Sequence, residues 1–201
     1  MPKSAPVPAR KCVPQWGMAS VDQSKVALLR GINVGGKNLI AMKDVTAAFE
    51  HAGYTDVRTH GQSGNVLFEA SGAERAELEG SVERMLLERF GMPIMVVIRS
   101  GEELAAVVAG APADFGSPLL RSDVYFVKHP LSAEAVLADL PELREGVDSM
   151  VAGEGALYFS RVAAQATKTR VQRLFAMPVF QRITVRSWKV TVRLAELAQA
   201  G

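Results

Sequence analysis

The chain has 201 residues, and 48% of them are hydrophobic, which is enough for a core that needs no stabilising metal or disulfide. A lone cysteine, Cys12, excludes an internal disulfide and a zinc site built from cysteines, and together with the lack of a signal peptide it predicts a cytoplasmic protein. No apolar run approaches the roughly 20 residues that a membrane-spanning helix needs, so no membrane association is expected.

The net charge of +2 is unevenly distributed along the chain. Residues 155–195 contain eight lysines and arginines and no acid, whereas residues 69–145 contain 14 acids against 7 bases. This difference predicts an electrically two-sided molecule. Such a surface can attract an anionic ligand, or it can merely keep the protein in solution.

The start of the chain lacks the pattern of a folded segment. It contains four prolines and no periodic apolar face, which predicts a disordered tail at residues 1–24. The fold is therefore expected to begin at residue 25.

The first half of the chain predicts the element order βαββαβ, followed by one more helix. Short apolar runs indicate the strands, and apolar residues at helical spacing indicate the helices. The two glycines in Gly61–Gly64 predict a hairpin turn between the second and third strands. Ser100 and Glu103 have the spacing of a capping box, which predicts that the appended helix begins there.

The second half repeats this order, which indicates an internal duplication. Gly64–Phe68 corresponds to Gly155–Phe159, and Val97–Ser100 corresponds to Thr184–Ser187. When the copies are aligned on their first strands and on their hairpins, the first copy has about seven more residues between these two points.

The predicted fold class is α+β, with two ferredoxin-like (βαββαβ) halves at residues 25–112 and 113–201. Each half is expected to form an antiparallel sheet with helices on one face and to end with its appended helix. We expect the seven-residue insertion in residues 31–42, here named loop 31–42. Long ordered loops carry function more often than short connections do.

Loop 31–42 reads GINVGGKNLIAM and lies between a predicted strand and a predicted helix. Its three glycines, two asparagines and lysine can direct backbone N–H groups at an anion. It is one residue short of a Walker A motif, Asn38 stands where a magnesium-binding Ser or Thr is needed, and the helix is expected only near Met42. We therefore reject a P-loop. Two interpretations stay open: a site for another anion, and a structural loop whose glycines provide positive φ angles.

Three segments resemble a known family: Leu28–Asn38, Gln62–Val66 and Thr184–Val192. Together they are similar to the bacterial domain-of-unknown-function 1697 family, over about residues 25–200. The resemblance implies an α+β fold of two ferredoxin-like parts and brings no assigned activity. The family usually has Asn where this chain has Ser187, and a serine there can still cap the following helix.

The candidate ligand-binding residues lie in the loop, in the hairpin turn and at strand ends. Their amide, hydroxyl and charged groups bind ligands but rarely catalyse reactions alone. The candidates are Arg30, Asn33, Lys37, Asn38, Gln62, Ser63, Asn65, Arg186 and Trp188. Trp188 can stack on a planar ligand, or it can fill the gap between the halves, which is the commoner role for a large aromatic beside a helix start.

The sequence contains no recognisable catalytic or metal-binding pattern. His51, His60 and His129 lack the spacing of metal ligands, and no Gly-x-Ser-x-Gly motif occurs. His60, beside the hairpin turn, can act as an acid or base, although a histidine bonded to backbone is the commoner case. We predict no catalytic residue, no metal and no cofactor, and whether the protein is an enzyme stays open.

The favoured function is the binding of a small anionic ligand or a nucleotide fragment at loop 31–42. One alternative is nucleic-acid binding through the basic segment 155–195, which is less favoured because the sheet lacks the paired exposed aromatics of RNA-recognition sheets. Another alternative is a non-catalytic interaction protein. The oligomeric state is left open.

Overall fold

The structure is a computed structural model that describes residues 23–36 and 38–200. Residues 1–22 of the predicted tail lie outside the described residues, and the last two residues of that tail belong to the first strand. Within the described residues, no helix is both long and apolar enough to cross a membrane.

The strands and helices of the described residues follow one another in the predicted order. The first half contains β1 (Gln23–Leu29), α1 (Met42–His51), β2 (Thr55–Thr59), β3 (Asn65–Ala70), α2 (Arg75–Phe90), β4 (Val96–Ser100) and α3 (Gly101–Ala109). The second half contains β5 (Leu120–Val127), α4 (Ala133–Ala138), β6 (Asp148–Gly153), β7 (Ala156–Val162), α5 (Gln172–Phe175), β8 (Ile183–Ser187) and α6 (Trp188–Gln199). Two short 3-10 helices, Ala163–Lys168 and Pro178–Arg182, flank α5.

The strands form two four-stranded antiparallel sheets. The strand order is β2-β3-β1-β4 in the first sheet and β6-β7-β5-β8 in the second. The first strand of each half lies between two antiparallel neighbours: Leu28 is opposite both Asn65 and Val97, and Phe126 is opposite both Ala156 and Thr184. Each of the two sheets therefore has the strand order of a split βαβ unit. The predicted α+β fold with two ferredoxin-like halves is confirmed.

Local sequence signals set several element boundaries. Gly64 has a φ of 73°, and a Cβ there would lie 2.7 Å from the Cβ of Leu29, so the hairpin requires glycine at this position. Ser100 and Glu103 form the predicted capping box at the start of α3. Ser187 caps α6, since its hydroxyl accepts a hydrogen bond from the backbone of Val190.

The two halves differ most after their first strands. Residues 30–41 connect β1 to α1, whereas residues 128–132 connect β5 to α4. The first connection is longer by seven residues, so the predicted insertion lies before α1.

The core consists of two outer clusters and one central cluster. In the first half, α1 and α2 cover one face of their sheet and bury Phe49, Phe68 and Leu86. In the second half, α4 and α5 cover one face and bury Phe159 and Leu174. The opposite faces of both sheets meet the paired helices α3 and α6 in the central cluster. The proposed boundary between residues 112 and 113 falls between α3 and β5, and two separate domains stay a prediction.

Arg99, near the end of β4, is buried between the two halves. Its Nη2 donates hydrogen bonds to the carbonyl oxygens of Val127 at 2.6 Å and Gly155 at 2.8 Å. Val127 ends β5, and Gly155 directly precedes β7. Arg99 therefore fastens the first half to two strand ends of the second.

Arg186, near the end of β8, makes the reciprocal contacts. Its Nη2 donates to the carbonyl oxygens of Leu29 at 2.9 Å and Gly64 at 3.1 Å, the equivalent positions of the first half, and its Nε donates to Oδ1 of Asn65. Burial lowers the pKa of the Arg186 guanidinium to about 10, and burial lowers that of Arg99 to about 10 as well. Each charge loses its hydration and gains carbonyl acceptors in return.

A second reciprocal pair lies one residue beyond the first strands. Arg30 follows β1, and its Nε donates to the carbonyl oxygen of Ile183 at 3.0 Å. Lys128 follows β5, and its Nζ donates to the carbonyl oxygen of Val96 at 3.1 Å. Ile183 and Val96 begin the equivalent strands β8 and β4. The duplicated sequence thus builds an interface with twofold pseudosymmetry.

We expect Arg99→Leu and Arg186→Leu each to lower the free energy of unfolding by about 3 kcal/mol, because each removes the hydrogen bonds from a buried guanidinium to carbonyl oxygens of the opposite half. Urea denaturation followed by circular dichroism measures this loss. Arg193→Leu is the matched control, since Arg193 is exposed and pairs with Glu196 on its own helix, and it should cost less than about 1 kcal/mol. Equal losses in all three variants would contradict a special role for the buried arginines.

Candidate functional site

Asn33 holds loop 31–42 in one conformation. Its Nδ2 donates to the carbonyl oxygens of Ile40 and Gln62, both at 2.8 Å, and its Oδ1 accepts a 2.8 Å bond from the N–H of Ile40. Its φ of 53° is left-handed, a conformation that Asn adopts more readily than most residues. The loop and the hairpin turn 61–64 therefore lie side by side.

Asn38 closes the base of the loop. Its Nδ2 donates to the carbonyl oxygen of Gly31 at 2.9 Å, and its own carbonyl accepts a bond from the N–H of Asn33 at 3.1 Å. The side chains of both asparagines are therefore bound to nearby backbone. Lys37 lies outside the described residues.

The outer surface of the loop is open to solvent. Val34 and Leu39 are 60% and 75% exposed. Gly35 and Gly36 have left-handed φ angles of 58° and 74°, and a Cβ built on either meets no atom within 4 Å. The tip of the loop is therefore not packed between the two halves, and a side chain there would add backbone strain without a clash.

Arg186 and Asn65 are a hydrogen-bonded pair of buried polar side chains next to the hairpin turn. Asn65 is 2% exposed, and its Nδ2 donates to the carbonyl oxygen of His60 at 2.9 Å. Arg186 also donates to the carbonyl oxygen of Ser63 at 3.0 Å. Because these donors are engaged with protein acceptors, the two side chains support the site from within.

Gln62 and Ser63 lie at the surface beside the loop. Both residues are exposed, and their backbone carbonyl oxygens accept the bonds from Asn33 and Arg186. Their side-chain amide and hydroxyl groups are therefore accessible to a ligand.

Trp188 lies apart from this group, at the start of α6. Its ring packs against the central cluster, 5.1 Å from the ring of Phe115 and almost perpendicular to it. No described contact joins Trp188 to the loop. The candidates that shared hydrogen bonds bring together are Asn33, Asn38, Gln62, Ser63, Asn65 and Arg186.

Three acid-free segments meet at this junction: residues 23–43, 57–68 and 155–195. They supply the loop, the hairpin turn and β8. Among the described residues, neither Arg30 nor Arg186 forms an ion pair with a carboxylate. No described carboxylate within ion-pair distance therefore offsets the charge of either arginine.

The arrangement is suited to binding. In the described part of the chain, no hydrogen bond joins a hydroxyl or thiol to a histidine, and no three His, Cys, Asp or Glu side chains cluster as metal ligands do. His60 lies beside the hairpin turn, where its backbone bonds to Asn65. The exposed side chains of Gln62 and Ser63 can donate hydrogen bonds to a ligand.

Sequence reasoning missed Arg99 and Lys128, the partners of Arg186 and Arg30 in the two reciprocal pairs. The internal duplication carried the necessary signal. Aligning Val97–Ser100 with Thr184–Ser187 places Arg99 opposite Arg186, and aligning the first strands places Lys128 opposite Arg30.

The fold and the site define a class of proteins: duplicated ferredoxin-like proteins that carry a fixed, open loop beside a hairpin turn. A profile of the family described as "Protein of unknown function (DUF1697)" matches residues 23–158, and the chain belongs to this family. The family expected from the sequence motifs is thereby confirmed, with the motif Thr184–Val192 outside the matched range.

Among solved structures, the chain is similar to the conserved bacterial protein SP0830 from Streptococcus pneumoniae. The TM-score is 0.76 at 23% sequence identity, and the alignment covers 88% of this chain and 98% of that chain. This likeness shows the fold. Among curated protein sequences, none matches this chain.

We expect Asn33→Ala to loosen the loop without unfolding the protein. This variant loses three side-chain hydrogen bonds to backbone groups, whereas the control Asn38→Ala loses one. The free energy of unfolding should fall by about 1–3 kcal/mol in Asn33→Ala and by less than about 1 kcal/mol in Asn38→Ala. Thermal unfolding measures both, and the amide of Ile40 should exchange faster in Asn33→Ala. Wild-type protection of that amide would show that other contacts hold the loop.

Proposed function

We propose that this protein binds a small anionic ligand, such as a phosphate ester, on the outer surface of loop 31–42. The observation that carries the proposal is the convergence of three acid-free segments at the loop, next to two arginines without a described carboxylate partner. An uncompensated positive charge in a partly buried position lowers the energy of a bound anion.

The loop also offers hydrogen-bond donors. Gly35 and Gly36 are exposed and left-handed, and consecutive backbone N–H groups in such turns form anion-binding concavities. Lys37 follows them in the sequence, and the exposed side chains of Gln62 and Ser63 lie beside the loop. In this proposal these groups contact the ligand.

The remaining candidates position the site. Arg30, Asn33, Asn38, Asn65 and Arg186 bind backbone carbonyls or one another, and the arginines set the local charge. Because the loop is held in place by protein contacts, binding requires little additional ordering.

The contacts of the basic segment 155–195 favour a small ligand over nucleic acid. Arg186 is buried, Arg193 pairs with Glu196, and Arg170 lies 3.9 Å from Glu142. These contacts bury or neutralise part of the charge that a nucleic-acid backbone would need.

A non-catalytic interaction role is the second candidate. It is favoured by the exposure of Val34 and Leu39 on the same loop, since exposed apolar side chains on a fixed loop can dock onto a partner. The experiment below separates the two candidates, because a purely apolar docking loop has no need for Lys37.

We expect inorganic pyrophosphate to bind the full chain and to shift the amide resonances of Gly35 and Gly36. Lys37→Ala should weaken this binding at least about tenfold, because it removes a charge-assisted hydrogen bond. Lys189→Ala is the matched control, an exposed lysine on α6 that should bind as the wild type does. Isothermal titration calorimetry gives the affinities, which should fall as ionic strength rises.

Pyrophosphate binding that is the same in Lys37→Ala and in the wild type would contradict the proposed site. So would amide shifts confined to another surface of the protein. Either result would leave the interaction role as the better account of the loop.

A further inference from the structure

Phe175, which is exposed, packs against the half-buried Phe180, whose ring lies under the guanidinium of Arg30. Phe175 ends α5 and is 44% exposed, and its ring centroid lies 4.7 Å from that of Phe180. The guanidinium carbon of Arg30 lies 5.3 Å from the centroid of Phe180. We name Phe175, Phe180 and Arg30 the aromatic platform.

The aromatic platform adjoins loop 31–42. Arg30 directly precedes Gly31, whose carbonyl oxygen accepts the 2.9 Å bond from Nδ2 of Asn38. Arg30 therefore connects the two, since its backbone leads into the loop and its guanidinium lies over the ring of Phe180. A ligand with its anionic group on the loop can place a second part against the exposed ring of Phe175.

At the equivalent position of the second half, the positive charge is neutralised by carboxylates. Lys128, the counterpart of Arg30, pairs with Glu83 and lies 3.7 Å from Oε2 of Glu79. Arg30 instead faces the ring of Phe180, and no described carboxylate pairs with it. The charge of Lys128 is thus neutralised by carboxylates of the protein. Arg30 has no described carboxylate partner, and the exposed ring of Phe175 belongs to the same platform.

These groups suit a ligand that joins a planar ring to an anion. Exposed aromatic side chains stack on the faces of nucleobases, and arginine adds a cation–π contribution. The whole segment 155–195, which carries Phe175 and Phe180, lacks acids that would repel a phosphate.

We propose that the anion at loop 31–42 is the phosphate of a nucleotide whose base stacks on Phe175 in the aromatic platform. This inference rests on the proposed function and adds the class of ligand. A free mononucleotide and a nucleotide within an oligonucleotide present the same chemistry, a base joined through a sugar to a phosphate. The test below distinguishes these two sources.

The test compares adenosine monophosphate with ribose 5-phosphate, which share the sugar and the phosphate and differ in the base. By isothermal titration calorimetry, the wild-type chain should bind adenosine monophosphate at least about tenfold more tightly. Phe175→Ala should abolish this preference and leave the affinity for ribose 5-phosphate unchanged. Leu119→Ala, which removes another exposed apolar side chain, should keep the preference.

Two further variants separate stacking from general apolar contact. Phe175→Tyr keeps an aromatic ring and should keep the preference for the nucleotide. Phe175→Leu keeps an apolar side chain without a ring and should lose most of it. Thermal unfolding by circular dichroism checks that each variant is folded, which the exposure of Phe175 leads us to expect.

The outcomes for the two proposals differ. Equal affinities of the wild type for both ligands would overturn the nucleotide inference and leave the anion site intact, as would a Phe175→Ala variant that keeps the preference. Failure of both ligands and of pyrophosphate to bind would overturn the anion site as well.

An oligoadenylate of about ten nucleotides identifies the source of the nucleotide. If it binds more tightly than the monophosphate, with a steep dependence on salt, the ligand is a nucleic-acid strand. If it binds no more tightly, the ligand is a free nucleotide. Both results support a nucleotide-binding platform, provided that Phe175→Ala removes the binding of the base.

Discussion

Two buried guanidinium groups, each inserted by one half of the protein into the other, hold this structure together. Burying a charged side chain is costly, and the burial lowers the pKa of Arg99 and of Arg186 to about 10. Carbonyl oxygens at the ends of the first strands and at the hairpins compensate for the lost hydration. Because these acceptors belong to the opposite half, each half completes the hydrogen bonding of the other.

The same interface fixes the surface loop. The carbonyl oxygens of Ser63 and Gly64 accept bonds from Arg186, and the carbonyl of Gln62, the residue before Ser63, accepts the bond from Asn33. The hairpin turn therefore connects the buried Arg186 to loop 31–42, because neighbouring carbonyls of the turn bind Arg186 on one side and Asn33 on the other. A loop held in this way can be ready for a ligand although it is long and rich in glycine.

Duplication produced two similar junctions, and their sequences have diverged in charge. At one junction Lys128 is neutralised by carboxylates of α2, while at the other Arg30 lies over an aromatic ring beside the longer loop. The cation of the first junction is thus paired with carboxylates, whereas no described carboxylate pairs with Arg30 at the second. The likeness to the pneumococcal protein at 23% identity spans 88% of the chain, so the duplicated framework persists where most residues differ.

The sequence by itself determined the order of the elements, the internal repeat, the seven-residue insertion and the cap at Ser100, because these depend on residues close together in the chain. It also drew attention to Asn33, Asn65 and Arg186 as polar residues at a junction. It did not reveal that their side chains bind protein groups, because Arg186 and Asn65 are 121 residues apart. Only the tertiary structure decided which polar groups are satisfied inside the protein and which face solvent, since that choice depends on contacts between distant segments.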